Sequence, residues 1–161
     1  MNRDQMLSLF QQHRKAEAAR NFDAIMATFT DDCYLETVAL NLRIEGQAAA
    51  RAAYEGYFRA FPDLSPDDEG FAFGDDAVVT WGTLRGTSKG DFLGVPPGGG
   101  SFTVPFVNVA RFRSGRMAGE SITLTLPVYA SRAGYRSKPS ALLPKHGCDN
   151  TGNGSYPGHI K

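Results

Sequence analysis

The sequence predicts an α+β fold in which three N-terminal helices cover one face of a curved antiparallel or mixed β-sheet. Apolar residues recur at steps of three and four positions over the first 60 residues, as in amphipathic helices. From about residue 70 onward, runs of β-forming residues alternate with short turn sequences, as in antiparallel hairpins. Helices followed by strands are typical of a two-layer domain. We therefore expect a cone with a mouth between the two layers.

The first two helices are predicted over residues 3–19 and 22–29. Asn21 separates them and is expected to cap the second helix. The sequence Thr-Asp-Asp at 30–32 is expected to end that helix before a strand at 33–38. The residues that give the first helix its apolar side are Met6, Leu9, Phe10, Ala16 and Ala19.

A third helix is predicted over residues 47–60, between the Glu45-Gly46 turn and Pro62. Proline disfavours a helical conformation in the residue before it, so the helix is expected to end there. Its buried face combines alanines with four aromatic residues at helical spacing, Tyr54, Tyr57, Phe58 and Phe61.

Four strands are predicted at 70–73, 77–86, 101–113 and 116–126. Turn residues at 74–76 and 114–115 are expected to join neighbouring strands as hairpins. The acidic, proline-containing segment 63–69 is read as a connection. We expect one folded domain at 1–134, followed at 135–161 by a tail rich in glycine and proline. That tail either is disordered or docks on a partner subunit.

The composition excludes several classes of function. Lysine plus arginine and aspartate plus glutamate each number 17, so no basic surface for nucleic acid is expected. No apolar run is long enough for a membrane span, and charges and glutamines occupy the first 12 residues, so a cytoplasmic protein is expected. The two cysteines form no disulfide framework, and the three histidines are scattered, so no metal or other cofactor is expected.

Three sequence strings resemble the SnoaL-like polyketide cyclases and ester cyclases of the NTF2-like superfamily. Residues 21–32 resemble the short helix and acidic pair that open NTF2-like domains. Residues 86–99, GTSKGDFLGVPPGG, resemble the family string GTH-x-G-x-(F/L)-x-G-x-PPTG, and residues 111–120, RFRSGRMAGE, match its RF-x-DG-(R/K)-I-x-E hairpin. The resemblance implies a cone with an apolar pocket for a small hydrophobic molecule, and dimerisation through the outer face of the sheet.

The resemblance also identifies two positions at which this chain lacks the family's titratable residues. Thr125 lies where cyclases of this type carry an acidic general acid/base, and Ser88 lies where the family string has histidine. Neither hydroxyl ionises near neutral pH. Ketosteroid isomerases share the cone, but their catalytic tyrosine and aspartate correspond to His13 and Thr37, so their route is disfavoured.

Glu36 and His13 are therefore candidates to replace the missing acid/base group, and Arg85 is a third candidate catalytic residue. Glu36 would be a usable base with a raised pKa if it faced the cavity, and an ordinary surface charge if it faced outward. His13 either contacts the ligand or is a solvated residue in a polar stretch of helix. Arg85 would anchor a carboxylate or enolate oxygen, or form a salt bridge at the rim.

Alternation along the strands gives the candidate pocket residues. Tyr34 shares a strand face with Glu36, Trp81 is the only tryptophan, and Asn108 is a polar residue in an otherwise apolar strand. On the last strand the resemblance places the Thr125 side in the cavity. The candidate lining residues are Tyr34, Tyr57, Phe61, Trp81, Phe106, Asn108, Thr123 and Thr125.

The sequence leaves three functions open. The first is a cyclase or isomerase that acts on a polyketide-like substrate by cofactor-free acid/base chemistry. The second is a non-catalytic binding module, which the residues at 88 and 125 favour. The third is an epoxide hydrolase, which would need acidic residues and an arginine around a water molecule. A small hydrophobic molecule is the expected partner in each case, and the chain is expected to form a homodimer.

Overall fold

The computed structural model describes residues 1–94 and 96–125. The predicted tail at 135–161, the predicted end of the last strand and two of the three histidines lie outside the described residues. Among those described, no helix combines the length and the apolar character that a bilayer-spanning segment needs.

The three predicted helices are confirmed as α1 (Arg3–Ala18), α2 (Phe22–Thr28) and α3 (Gln47–Ala60). The side chain of Asn2 accepts from Gln5 N and that of Gln5 accepts from Asn2 N, so a capping box opens α1. Asn21 caps α2 as predicted, since its side chain accepts from Ala24 N at 3.0 Å.

Helix α2 ends before residues 30–32, as predicted, but strand β1 (Phe29–Thr37) begins directly after it, so the prediction that the strand starts at residue 33 is wrong. The acidic side chains of Asp31 and Asp32 are exposed on this strand and pair with Arg116 and Arg113 of the last hairpin. These ion pairs let a polar sequence continue a strand. A 3-10 turn (Val38–Leu40) then leads to a short strand that was not predicted, β2 (Leu42–Glu45).

Strand β3 (Ser65–Phe73) is longer than predicted because the acidic segment belongs to it. It pairs antiparallel with β4 (Ala77–Thr87), beginning with Ser65 opposite Arg85. Since β3 is an edge strand, its proline removes few of the hydrogen bonds that pair strands. Its charged side chains discourage association with another sheet. For that reason the sequence pattern of its first half resembles a loop.

The six strands form one open sheet in the order β2-β1-β6-β5-β4-β3, with β5 at Ser101–Arg113 and β6 at Arg116–Leu124. Strands β1 and β6 are parallel and the other neighbours are antiparallel. The predicted Ser114-Gly115 turn is confirmed, and both residues have positive φ, at 51° and 79°. Positive φ at both turn positions suits the twist of a two-residue hairpin.

The helices pack on one face of this sheet. The main core cluster joins all three helices to β1, β4, β5 and β6, and a smaller cluster lies between the end of α3 and the far ends of β4 and β5. The largest fully buried side chains are Phe10, Phe29, Phe61, Met6, Ile25 and Met117. The α+β class and the helix-covered sheet that the sequence predicts are confirmed.

Candidate active site

A cavity of about 380 Å³ lies between α1, α3 and the helix-covered face of the sheet. Apolar and aromatic walls combined with a few polar groups are typical of small-molecule sites. The apolar and aromatic lining residues include Leu35, Leu40, Tyr57, Phe58, Phe61, Leu84, Phe92, Phe106, Ile122 and Leu124. The charged and polar ones include Arg14, Glu17, Arg20, Asp68, Asn108 and Glu120.

His13 of α1 is completely buried beside this cavity, and Thr28 fixes one of its ring nitrogens. Nδ1 lies 2.8 Å from Thr28 Oγ1, and the Thr28 hydroxyl donates to Ile25 O at 2.6 Å. A hydroxyl has one hydrogen, so Thr28 must accept from a protonated Nδ1. Nε2 is therefore the nitrogen that gains or loses a proton.

Three oxygen atoms surround Nε2 of His13. They are the Tyr54 hydroxyl at 3.1 Å, Glu17 Oε1 at 3.3 Å and Glu120 Oε2 at 3.6 Å. A lone pair on Nε2 would face two carboxylates, which is electrostatically unfavourable. The geometry therefore favours the doubly protonated, cationic form of His13.

Glu120 of β6 connects this histidine to the cavity. Tyr54 donates to its Oε2 at 3.0 Å, and Nδ2 of Asn108 donates to its Oε1 at 2.9 Å. The Glu120 side chain is only 10 % exposed, but it lines the cavity. A carboxylate held from both sides in this way has a fixed orientation toward whatever occupies the cavity.

Arg14 brings a second charge to the same side of the cavity. Its guanidinium donates to Glu17 Oε2 at 3.0 Å and to Asp68 Oδ1 at 3.2 Å, and it lies 4.9 Å from the ring centre of Phe10. Planar Arg-carboxylate pairs combine charge with directional hydrogen bonds. Two carboxylates thus hold the guanidinium in place at the cavity wall.

These contacts shift the pKa values of the whole cluster. Burial alone would lower the pKa of His13, but the charges of Glu17 and Glu120 outweigh it and raise the pKa to about 9. Burial opposes ionisation of Glu17 as well, yet His13 and Arg14 lower its pKa to about 2. The pKa of Glu120 is also lowered, since the His13 charge outweighs burial. Burial and both carboxylates raise the pKa of Tyr54 well above 10, so its hydroxyl stays neutral.

Comparison with known proteins identifies the family. A protein-family model described as the SnoaL-like domain matches residues 10–120, which is most of the chain. The chain belongs to the SnoaL-like family. No sequence among the curated proteins matches it.

Solved structures show the same fold. A proposed SnoaL-like polyketide cyclase from Jannaschia sp. CCS1 is 24 % identical, with a TM-score of 0.74 over 81 % of this chain and 92 % of that one. AclR from Streptomyces galilaeus, described as a proposed hydroxylase, is 21 % identical, with a TM-score of 0.69 over 83 % and 98 %. IdmH from Streptomyces antibioticus, a proposed polyketide cyclase, is 18 % identical, with a TM-score of 0.65 over 79 % and 96 %. At these identities the likeness establishes the NTF2-like fold alone.

In this SnoaL-like domain the three candidate catalytic residues lie in different places. His13 is buried in the polar cluster, so its interpretation as a solvated residue is wrong. Glu36 is among the residues that line the cavity, and its carboxylate accepts from Ser121 Oγ of β6 at 2.5 Å. Arg85 is 55 % exposed and pairs with Asp67 at 3.1 Å, away from the cavity lining.

The candidate pocket residues divide into two groups. Tyr57, Phe61, Phe106 and Asn108 line the cavity. Tyr34, Trp81, Thr123 and Thr125 do not: Trp81 and Thr123 lie on the outer face of the sheet, the Tyr34 ring stacks under Arg43, and Thr125 is exposed beyond the end of β6. The expectation that the Thr125 side of the last strand faces the cavity is therefore wrong.

A β-bulge explains the reversed facing of β6. Arg111 pairs with Gly119 and its neighbour Phe112 with Met117, so Ala118 is an extra residue in β6. An extra residue reverses the alternation of side chains along a strand. Glu120, Ile122 and Leu124 therefore face the cavity.

The sequence did not single out Glu17, Arg14, Tyr54 or Glu120 as functional residues. Two signals were present. Glu17 follows His13 by four positions, which places both on one side of a helix. Glu120 is the last residue of the family-like hairpin string at 111–120. His13, Glu17 and Glu120 together form a histidine and acid cluster, contrary to the expectation from the scattered histidines.

Proposed function

We propose that this SnoaL-like domain is an enzyme of the cyclase or isomerase type that acts on a small hydrophobic, polyketide-like substrate by acid/base chemistry. One observation carries the proposal: the carboxylate of Glu120 lines an apolar cavity while Tyr54 and Asn108 hold it in place and His13 lies behind it. Fixed proton-transfer groups next to an apolar cavity are a typical catalytic arrangement.

Glu120 is the proposed general base. Because its pKa is lowered, it is a weak base, and it removes protons only from a carbon whose hydrogens are already acidic. A carbon between two carbonyl groups, as in a polyketide chain, meets this condition. The electron pair of the broken C–H bond passes into an enolate, and the proton resides on a Glu120 oxygen.

Arg14 is the proposed partner for the negative charge of the enolate. Its guanidinium lines the cavity on the same side as Glu120, and its position is fixed by Glu17 and Asp68. A preorganised positive group stabilises charge that develops during a reaction without having to reorient. The aromatic walls would hold the rest of the substrate in a folded conformation.

The proton on Glu120 completes either reaction. In a cyclisation, the enolate carbon attacks a second carbonyl carbon of the same molecule, a C–C bond forms, and the new alkoxide takes the proton. In an isomerisation, a different carbon of the enolate takes it. His13 stays protonated throughout and serves as a positioning residue, because it does not line the cavity.

A ligand screen with product analysis tests the proposal. Polyketide-like aromatic ketones and steroids are screened by thermal shift, and each binder is incubated with wild-type protein and with Glu120→Gln. Conversion by the wild type but not by the variant supports an enzyme with Glu120 as base. Binding without conversion would instead support a binding module, the second interpretation of the sequence. If none of these compounds binds, the proposed substrate class is wrong.

A second candidate function rests on the Glu17-Arg14-Asp68 arrangement. For an epoxide hydrolase, the sequence suggests Arg85 as the arginine and shows no interior pair of acidic residues. In the structure, a different arginine, Arg14, lies between two carboxylates at the cavity wall. An acid pair and an arginine could activate water and protonate an opening epoxide. Incubating terpenoid epoxides in ¹⁸O-labelled water tests this: a labelled diol, lost in Asp68→Asn, would favour hydrolysis over the cyclase proposal.

A further inference from the structure

The spacing of three atoms in the His13 cluster fits a metal site as well as the metal-free arrangement described above, in which Nε2 contacts the Tyr54 hydroxyl. A cationic histidine usually approaches a carboxylate to about 2.7–2.9 Å. Nε2 of His13 lies farther from both carboxylates, at 3.3 Å from Glu17 Oε1 and 3.6 Å from Glu120 Oε2. Ligand atoms about 2.1 Å from a tetrahedral Zn²⁺ ion lie about 3.4 Å from one another.

The geometry points to a divalent transition-metal site, best matched by Zn²⁺, formed by His13 Nε2, Glu17 Oε1 and Glu120 Oε2. All three ligand atoms lie within 4.8 Å of one another. One imidazole and two carboxylates are ligand types that suit zinc. Glu17 and Glu120 line the cavity, so an ion can enter from there and keep its fourth position open to a ligand or water.

Each of the three ligands already has an outer partner that orients it. Thr28 accepts the Nδ1 proton of His13 and directs Nε2 inward. Asn108 and Tyr54 donate to Glu120, and Arg14 donates to Glu17. Such outer contacts fix the tautomer and the angle of metal ligands. The ion would enter a preformed site and replace the proton on Nε2.

Charge and an unpartnered amide oxygen support the same conclusion. With His13 and Arg14 positive, the three carboxylates Glu17, Asp68 and Glu120 leave one negative charge in excess. Replacing the Nε2 proton with a divalent ion cancels it. Asn108, which is 3 % exposed and bonded to Glu120, also leaves its Oδ1 without a partner among the described residues. A water molecule on the ion could use that acceptor.

This inference goes beyond the proposed function, because a bound ion occupies the carboxylate that the proposed proton transfer uses. When bound, the ion would supply Lewis-acid chemistry toward a carbonyl oxygen in the cavity. Loaded and metal-free protein are therefore expected to differ in activity.

Calorimetric titration of Zn²⁺ into the chelator-treated 161-residue protein tests the site. We expect one ion per chain in the wild type and no ion at this site in His13→Gln or Glu17→Gln. The double variant His146→Gln/His159→Gln is the matched control, since it removes the other two histidines of the chain and should still bind one ion. Thr28→Val should weaken Zn²⁺ binding by about 10- to 100-fold, because it removes the outer partner of His13.

The possible failures are distinguishable. If His13→Gln does not fold, the partly exposed and isosteric Glu17→Gln still decides the question. No binding by the wild type, or undiminished binding by Glu17→Gln, overturns the metal site. Turnover by chelator-treated wild type that is lost in Glu120→Gln would support the proposed function whatever the titration shows.

Discussion

The hydroxyl group of Tyr54, on α3, donates a hydrogen bond of 3.0 Å to Glu120, on β6. The same hydroxyl lies 3.1 Å from His13 Nε2, so it joins α1 and α3 to the sheet at one point. A buried hydroxyl between two charged groups positions the carboxylate and supplies it with a hydrogen-bond donor.

Removing that hydroxyl tests its role. We expect Tyr54→Phe to lower the free energy of unfolding by about 1–3 kcal/mol, because it leaves buried charged groups without a partner. The ratio kcat/KM should fall mainly through kcat, while ligand affinity changes little. Denaturant unfolding and kinetics measure both effects. Tyr34→Phe, outside the cavity lining, is the control, and an equal loss in both variants would remove Tyr54 from the mechanism.

The position of the general base gives a second prediction. We expect Glu120→Gln to reduce turnover at least about 100-fold with ligand affinity preserved, as is typical when a proton-transfer group is removed. Glu45→Gln is a matched control with the same chemical change at an exposed residue outside the cavity lining, and it should retain activity. Loss of turnover in Glu36→Gln but not in Glu120→Gln would identify Glu36 as the base instead. Steady-state kinetics and equilibrium binding measure the two quantities.

The raised pKa of His13 makes stability depend on pH. The folded protein holds this proton up to about pH 9, whereas an unperturbed histidine releases it near 6.5. The resulting stabilisation is fully present below pH 6.5 and is lost as the pH rises to 9. At about 1.4 kcal/mol per pKa unit it is on the order of 3 kcal/mol.

At acidic pH, the stability of the fold depends on pH in the opposite direction. Glu17 has a pKa of about 2 in the folded protein against an ordinary value of 4.5, so its contribution is lost as the pH falls between those values. Unfolding of chelator-treated protein should show greatest stability near pH 5–6.5. In His13→Gln the decline between pH 6.5 and 9 should disappear, and a persistent decline would mean that another group causes it.

The outer face of the sheet is the predicted dimer interface. Trp81 and Val107 pair across β4 and β5 there and are 42 % and 43 % exposed, which is high for large apolar side chains. We expect a dimer in light scattering, and a monomer for Trp81→Glu or Val107→Lys. Leu93→Lys alters an exposed loop leucine and should leave the dimer intact. A monomeric wild type would contradict the prediction.

Gly82 gives a prediction about stability that involves no functional group. A Cβ atom at this position would lie 1.9 Å from the backbone oxygen of Asp67, at the bulge between β3 and β4. The paired backbone of β3 cannot move aside as a flexible side chain can, so Gly82→Ala should destabilise the fold by about 1–3 kcal/mol or more. Gly74→Ala, whose Cβ would meet its nearest neighbour at 3.6 Å, should be nearly neutral by chemical denaturation.

The fold was predictable because its helices and hairpins are encoded by local periodicity. The three helices and the Ser114-Gly115 turn follow directly from short stretches of sequence. The first half of β3 and the start of β1 were not predictable, because charged residues on an edge strand and in cross-strand ion pairs resemble a loop.

The site was less predictable because its parts come from distant positions. Nothing local to His13 shows that Glu120 will lie 3.6 Å from it. The facing of Glu120 depends on one bulge residue, Ala118, which no alternation pattern reveals. Asn108 was recognised because a lone amide in an apolar strand must find a partner.

The parallel pairing of β1 with β6 also constrains the order of folding. Among the described strands, every other pair joins neighbours in sequence, whereas this pair joins the first of them to the last. Such a long-range contact forms late, because the intervening chain must first be closed into a loop. A chain that stops before Arg116 would retain both flanking sheet segments but no strand to join them. Ligand binding would therefore appear in a refolding experiment only with the slowest phase, after most helix and hairpin signals are complete.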